Sequence, residues 1–249
     1  MFTRSVAAVL VLLAVVQSGC GKKVSDNERL NAAVAEFRKG EIGKCSEYLD
    51  AVLKNNPENC SARLMQALVF EKNGDYDKAL DMASKVAIEY PDSFAALYTR
   101  GRLLAKSRPH RRLAFETLEA AYKLNPDDVS NLILLCNLGT ELKHGGVSVY
   151  IEQLRKNPEY TKNNQLNYMM GKALMLKGEH DKATDYLFAA IENNSDPELC
   201  FYIARLIDES KRNPHLAKNL YHAYIMFPGS NKSPALINYA QNRMRWLGR

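Results

Sequence analysis

From Asp26 onward, apolar positions recur at helical spacing in segments broken by short polar turns. Three stretches read alike. Residues 40–59 are GEIGKCSEYLDAVLKNNPEN, residues 74–93 are GDYDKALDMASKVAIEYPDS, and residues 178–197 are GEHDKATDYLFAAIENNSDP. Each opens with glycine and an acid, continues as a helix with one apolar face, and carries proline near its end. Between them the register holds. Small residues stand at Ala33, Ala67, Gly101, Cys136 and Gly171, spaced by 34, 34, 35 and 35. A second small series runs through Cys45, Ala79, Ala114, Ala183 and Ala217. Small side chains at both places let two helices approach closely, where bulkier ones would hold them apart. Gly40, Gly74 and Gly178 fall in the turns, where a positive φ is cheap for glycine. Pro57, Pro91, Pro126, Pro158 and Pro228 end the second helices, because proline cannot continue one.

These residues resemble the tetratricopeptide repeat family. The resemblance covers six units: 26–59, 60–93, 94–128, 129–161, 164–197 and 198–231. It implies an all-α fold, an α-solenoid of about six helix pairs over 26–231. Unit three has one extra residue in the turn Ser107–Arg112. Unit four is shortened around Gly145-Gly146, and unit six places Arg205 at its first small position with Ala204 beside it. Residues 232–249 read as a terminal helix. Leu236, Tyr239, Ala240, Met244 and Leu247 lie on one face of it, covering the open side of the last unit as such arrays require, and Trp246 is expected to pack there, the alternative being that it anchors a partner.

The first residues read differently. One positive charge, Arg4, precedes the unbroken apolar run Val6–Val16. As a helix that run spans about 16 Å, against about 30 Å of membrane hydrocarbon, so it reads as a signal-peptide core over 1–19 and not as a span. It ends in Gln17-Ser18-Gly19-Cys20, which resembles the lipobox of bacterial lipoproteins; Gln17 departs from the aliphatic residue usual there. The resemblance implies that Cys20 is lipidated and that residues 20–25 form a tether. Two or more acyl chains anchor a protein stably where one does not. Gly21 lacks the acid that marks inner-membrane retention, so the implied location is the bacterial envelope at the outer membrane, facing the periplasm.

Charge changes the picture little. The chain has 34 Lys/Arg against 28 Asp/Glu and a pI near 9.0, but acids and bases are interleaved. The exception is the short run Lys106, Arg108, His110, Arg111 and Arg112, read as a solvated turn. That pattern does not make a nucleic-acid protein.

Candidate chemistry is sparse. Cys45 and Cys60 start successive antiparallel helices, about 20 Å apart by helix rise, whereas a disulfide needs Cα atoms within about 7 Å. Cys136 and Cys200 belong to different units, and Cys45 and Cys136 take small core positions. The histidines show no HExxH spacing, and CxxC, GxSxG and phosphate-loop motifs are absent from the sequence. No metal, cofactor, small-molecule substrate or catalytic residue is expected.

In the family that the repeats resemble, the first helix of each pair lines the concave side. Two columns then follow: Leu30, Leu64, Tyr98, Ile133, Tyr168 and Tyr202, and one turn later Val34, Leu68, Arg102, Asn137, Lys172 and Leu206. Tyrosines with few rotors to freeze and a polar centre at Arg102, Asn137 and Lys172 suit a protein or peptide partner. The same stripe also fits tyrosines packed between neighbouring repeats. Lipid-anchored proteins of this family resemble envelope scaffolds, and six tight units behind a lipidated cysteine are most similar to the type IV pilus assembly kind. The expectation is a non-catalytic scaffold binding an envelope protein in its groove; the alternative is a structural lipoprotein that self-associates.

Overall fold

The computed structural model describes residues 24–192, 197–227 and 232–248. The signal segment, the Cys20 lipobox and Pro228 lie outside the described residues. Among these residues there are thirteen α-helices and no strand. Helices α1 (Asp26–Lys39) and α2 (Ile42–Asn55) form the first pair, α3 (Cys60–Lys72) and α4 (Tyr76–Glu89) the second, and α5 (Phe94–Leu104) and α6 (Arg111–Leu124) the third. The fourth repeat comprises α7 (Val129–Glu141) and the short α8 (Val147–Arg155). Two further pairs follow, α9 (Asn164–Lys177) with α10 (His180–Ile191) and α11 (Pro197–Ser210) with α12 (Pro214–Met226), and α13 (Pro234–Leu247) closes the chain. The chain divides into two compact units, Met1–Leu138 and Gly139–Arg249. The division falls in the degenerate fourth repeat.

Local chemistry accounts for the helix ends. Ser25 caps α1 in a reciprocal box with Glu28: its side chain accepts from the Glu28 N–H, and its own N–H donates to the Glu28 carboxylate at 2.7 Å. Asn59, Ser93 and Asn163 cap α3, α5 and α9 by accepting from the N–H three residues on, at 2.9, 3.3 and 3.1 Å. Asp128 does the same for α7, at 2.8 Å from the Asn131 nitrogen. At the other ends, Gly40 and Gly178 take φ of 85° and 79°. The next N–H then reaches back to Glu36 O and Leu174 O, each at 3.0 Å, closing the last turn. The extra residue of the third turn is taken up by a 3₁₀ turn, Arg108–His110.

Packing within each pair follows the small-residue columns. Cys45, Ala79, Ala114, Ala183 and Ala217 are all fully buried, as are Ala33 and Ala67. Gly101 and Gly171 go further. A Cβ on Gly171 would stand 2.5 Å from Leu187 Cγ, and one on Gly101 2.7 Å from Leu118 Cγ. The space a side chain would need is already filled by leucine from the partner helix. Gly171→Ala is therefore expected to destabilise by about 1 kcal/mol: overpacking costs about 1–3 kcal/mol and outweighs the roughly 1 kcal/mol that alanine gains over glycine in a helix. Adding Leu187→Ala should make the double variant less damaged than the sum of the singles, read from urea midpoints as a double-mutant cycle.

In the second unit the small position of the last repeat belongs to Ala204, fully buried, and Arg205 points to solvent. The register is thus one residue short between Gly171 and Ala204. Helix α13 caps that repeat as expected. Ala240 is fully buried in a cluster with Phe201, Ala204, Ile207, Tyr221 and Tyr224, and Leu236, Ile237, Met244 and Leu247 pack against it. Arg243 donates twice to Asp208, at 2.8 and 2.7 Å, and Tyr221 Oη donates to the same carboxylate at 3.1 Å. Lys232 Nζ donates to three carbonyls at the end of α12, those of Tyr224, Ile225 and Phe227, at 3.3, 2.5 and 2.7 Å. Trp246 departs from expectation. It is 61% exposed, because the stripe Ala240–Met244–Leu247 faces α12 and position 246 lies off it.

Candidate functional site

The predicted columns divide between the two units, and each half has a different character. In the first unit Leu30, Leu64, Val34 and Leu68 are buried between helices, and Tyr98 is completely buried with its ring stacked on Phe94 at 5.7 Å and 8°. Arg102 is 7% exposed and forms a bidentate pair with Glu71 across α5 and α3, at 2.7 and 2.5 Å. Lys106 reaches the same carboxylate at 2.5 Å. A guanidinium so engaged has its donors directed at a residue of its own fold. Ile133 is half-buried and Asn137 is exposed on α7. This half of the stripe is therefore mainly interior, with Asn137 its open position.

The second unit presents a surface. On α9 the half-buried side chains of Tyr168 and Lys172 lie in line, with Lys172 Nζ 5.4 Å from the Tyr168 ring centroid. On α11 Tyr202 is 40% exposed, its ring edge-on to buried Phe201 at 5.7 Å. Arg205, half exposed, follows one turn later and pairs with Glu209 at 2.9 Å. Burial holds the Lys172 ammonium below its usual value; the charges of Lys143 and Arg205 act in the same direction, and Glu141 opposes them. Burial likewise pushes the Tyr168 phenol up, with Tyr202 and Glu209 adding to it and Arg205 opposing. The arrangement is two tyrosines beside a partly desolvated, mutually repelling group of cations. A carboxylate arriving there would relieve the repulsion and bring Lys172 back toward its usual value.

Sequence reasoning placed Tyr168, Lys172 and Tyr202 on this face and missed Arg205. The residue was legible: a 33-residue step from Gly171 leads to Ala204, and the position after it, equivalent to Lys172, is Arg205. Leu206, assigned to that column instead, is half-buried against the core of the last repeat. Elsewhere, Cys45, Cys60, Cys136 and Cys200, the cysteines of the described residues, form no disulfide. Burial raises Cys45 to about 11 and Cys136 to about 12, so both stay protonated as small apolar core residues. Among the described residues no group of three His, Cys, Asp or Glu is placed to hold a metal, and no helix is long and apolar enough to cross a membrane.

Comparison with known proteins agrees with the repeat reading. The family model described as tetratricopeptide repeat matches residues 30–94 and 64–129. Tetratricopeptide repeat protein 21B of Mus musculus is 26% identical over 166 residues, which is 66% of this chain but only 12% of the mouse protein. Among solved structures, Pseudomonas aeruginosa PilF superposes with a TM-score of 0.56 at 16% identity, covering 87% of this chain and 96% of PilF. YrrB, described as a tetratricopeptide protein with an unusual peptide-binding site, gives 0.59 at 19% identity, covering 74% of this chain and 94% of YrrB. At these identities the structural likeness concerns the fold.

Proposed function

We propose, proceeding from a chain of tetratricopeptide repeats, that this protein is a non-catalytic scaffold whose second unit holds a segment of a protein partner against Tyr168, Lys172, Tyr202 and Arg205. The observation that carries the reading is the Lys172 site: a half-buried ammonium against the Tyr168 ring, with Lys143 and Arg205 outnumbering Glu141 among its charged neighbours, is costly for the fold alone and suited to a ligand carboxylate. Peptide binding by a protein of the same fold, YrrB, supports the class of ligand.

The signal-like segment and the Cys20 lipobox support an envelope lipoprotein, lipid-anchored at the outer membrane and facing the periplasm. Within that setting an assembly factor of the type IV pilus kind is the role that six tight repeats behind a lipidated cysteine most resemble. Mass spectrometry of the purified full chain tests the anchor: a diacylated or triacylated N-terminal Cys20 peptide supports it, and an unmodified or absent Cys20 sinks it.

The binding face is tested by gentle detergent extraction of the tagged full-length chain beside a Tyr168→Ala/Lys172→Ala/Tyr202→Ala variant. The expected result is one envelope protein present with the wild type and depleted at least tenfold with the variant, a loss of about 1.4 kcal/mol or more. Identical sets of co-purifying proteins would remove this face as the site. Recovery of the chain alone, with concentration-dependent oligomers in sedimentation, would favour the self-associating structural role.

A further inference from the structure

The end of the chain carries a second concentration of positive charge. Residues 211–249 contain seven Lys/Arg and not one Asp or Glu. In the fold this segment supplies the turn after α11 and all of α12 and α13. Between that turn and α13 lies a cleft of about 350 Å³, lined by the apolar and aromatic Pro214, Tyr239, Trp246 and Leu247 and by the charged Asp208, Glu209, Lys211 and Arg243. That is the size of a small ligand pocket. Trp246 and Tyr239 are 61% and 41% exposed there. The acids at the cleft are already engaged: Asp208 accepts from Arg243 and Tyr221, and Glu209 pairs with Arg205. Lys211 and Arg212 are exposed, and neither forms an ion pair among the described residues.

We propose that this cleft docks an acidic protein segment, an apolar side chain lying on Trp246 and Tyr239 while neighbouring carboxylates meet Lys211 and Arg212. Charge selects the partner, since every acid in the neighbourhood is neutralised from within and every unpaired group is a cation. The aromatic wall adds contact area, with one face of Trp246 stiffened by the Arg243 guanidinium 4.6 Å from its ring. An anionic membrane is the poorer occupant. The apolar stripe of α13 is turned onto α12, so the helix has no apolar face left to bury in a bilayer, and the aromatic wall is concave where a lipid surface is flat. None of Tyr168, Lys172, Tyr202 and Arg205 lines the cleft, and the two sites meet at the Arg205–Glu209 pair.

Trp246 is the chain's one tryptophan, so its emission reports on this cleft alone. The full chain in neutral detergent is titrated with the acetylated, amidated pentapeptide Asp-Asp-Phe-Asp-Asp. A saturable change in Trp246 emission is expected, with none from Lys-Lys-Phe-Lys-Lys. The midpoint should rise about tenfold in the Lys211→Gln/Arg212→Gln variant, and should rise with salt. An unchanged melting curve shows that the variant is folded, and a Lys54→Gln/Lys85→Gln variant of the first unit should bind as the wild type does. No saturable change at millimolar acidic peptide, an equal response to the lysine peptide, or indifference to the double substitution overturns the proposal. So does a response confined to micelles doped with phosphatidylglycerol, which would assign the cleft to anionic lipid.

Discussion

Tyr98→Ala is expected to lower the stability of the first unit by about 3–5 kcal/mol, the range for truncating a fully buried aromatic side chain to alanine. The ring is completely buried and stacked on Phe94, so its removal leaves a cavity that α5 cannot collapse to fill. Tyr202→Ala, one residue past the equivalent position on α11 once the register contracts, and 40% exposed, should cost under about 1 kcal/mol. Urea denaturation followed by far-ultraviolet circular dichroism separates the two. If both variants unfold alike, burial does not distinguish the halves of the tyrosine column, and the assignment of the open face to the second unit fails. The contrast bears directly on function, because a binding defect in Tyr98→Ala would come through unfolding, whereas one in Tyr202→Ala would come from the surface itself.

Glu71→Ala should be comparably severe, about 3–5 kcal/mol, because it strips the carboxylate from a buried pair and leaves the Arg102 guanidinium at 7% exposure. Replacing both partners together, as Glu71→Leu/Arg102→Leu, should return much of the loss, since the penalty comes from the stranded charge and not from the absence of the pair. The same site predicts a pH dependence. Burial alone would raise the Glu71 carboxyl; the hydrogen bonds and charges of Arg102 and Lys106 outweigh it and hold the group below its ordinary value of 4.5. The ionised form is thus favoured in the fold. The stabilisation is complete above the unfolded value and is lost as pH falls through the lower folded one. Melting temperatures taken from about pH 6 to pH 3 should fall more steeply for the wild type than for Glu71→Gln. Parallel acid limbs would show that Glu71 is not held in this way.

The repeats were legible because their requirements are local. A pair of helices at close approach needs a small residue at one height on each, and a turn needs glycine or proline, whatever lies around them. A third column carried the same register and went unread: the helix caps Ser25, Asn59, Ser93, Asp128 and Asn163 are spaced by 34, 34, 35 and 35. Reading it would have set the starts of α1, α3, α5, α7 and α9 directly. The one-residue contraction before Ala204 was visible as a misfit at Arg205, but a single misfit does not say which neighbour moves inward.

What the amino-acid sequence determined by itself is the array over 26–249: about six helix pairs, their turns, and a last helix with one apolar stripe. Each rests on side-chain size, periodicity and backbone freedom within a few tens of residues. Which part of the tyrosine column faces solvent was decided only by tertiary structure. Tyr98 and Tyr168 occupy equivalent positions, yet one is fully buried and the other half open, because exposure depends on what packs over the helix. The same holds for the charges. Arg102 and Lys172 look alike in the chain, but Glu71 lies 31 residues before Arg102 and folds onto it. Lys172 instead lies over the Tyr168 ring, with Lys143, Glu141 and Arg205 as its charged neighbours. Electrostatic partners are chosen by proximity in space, and spacing along the chain does not encode it.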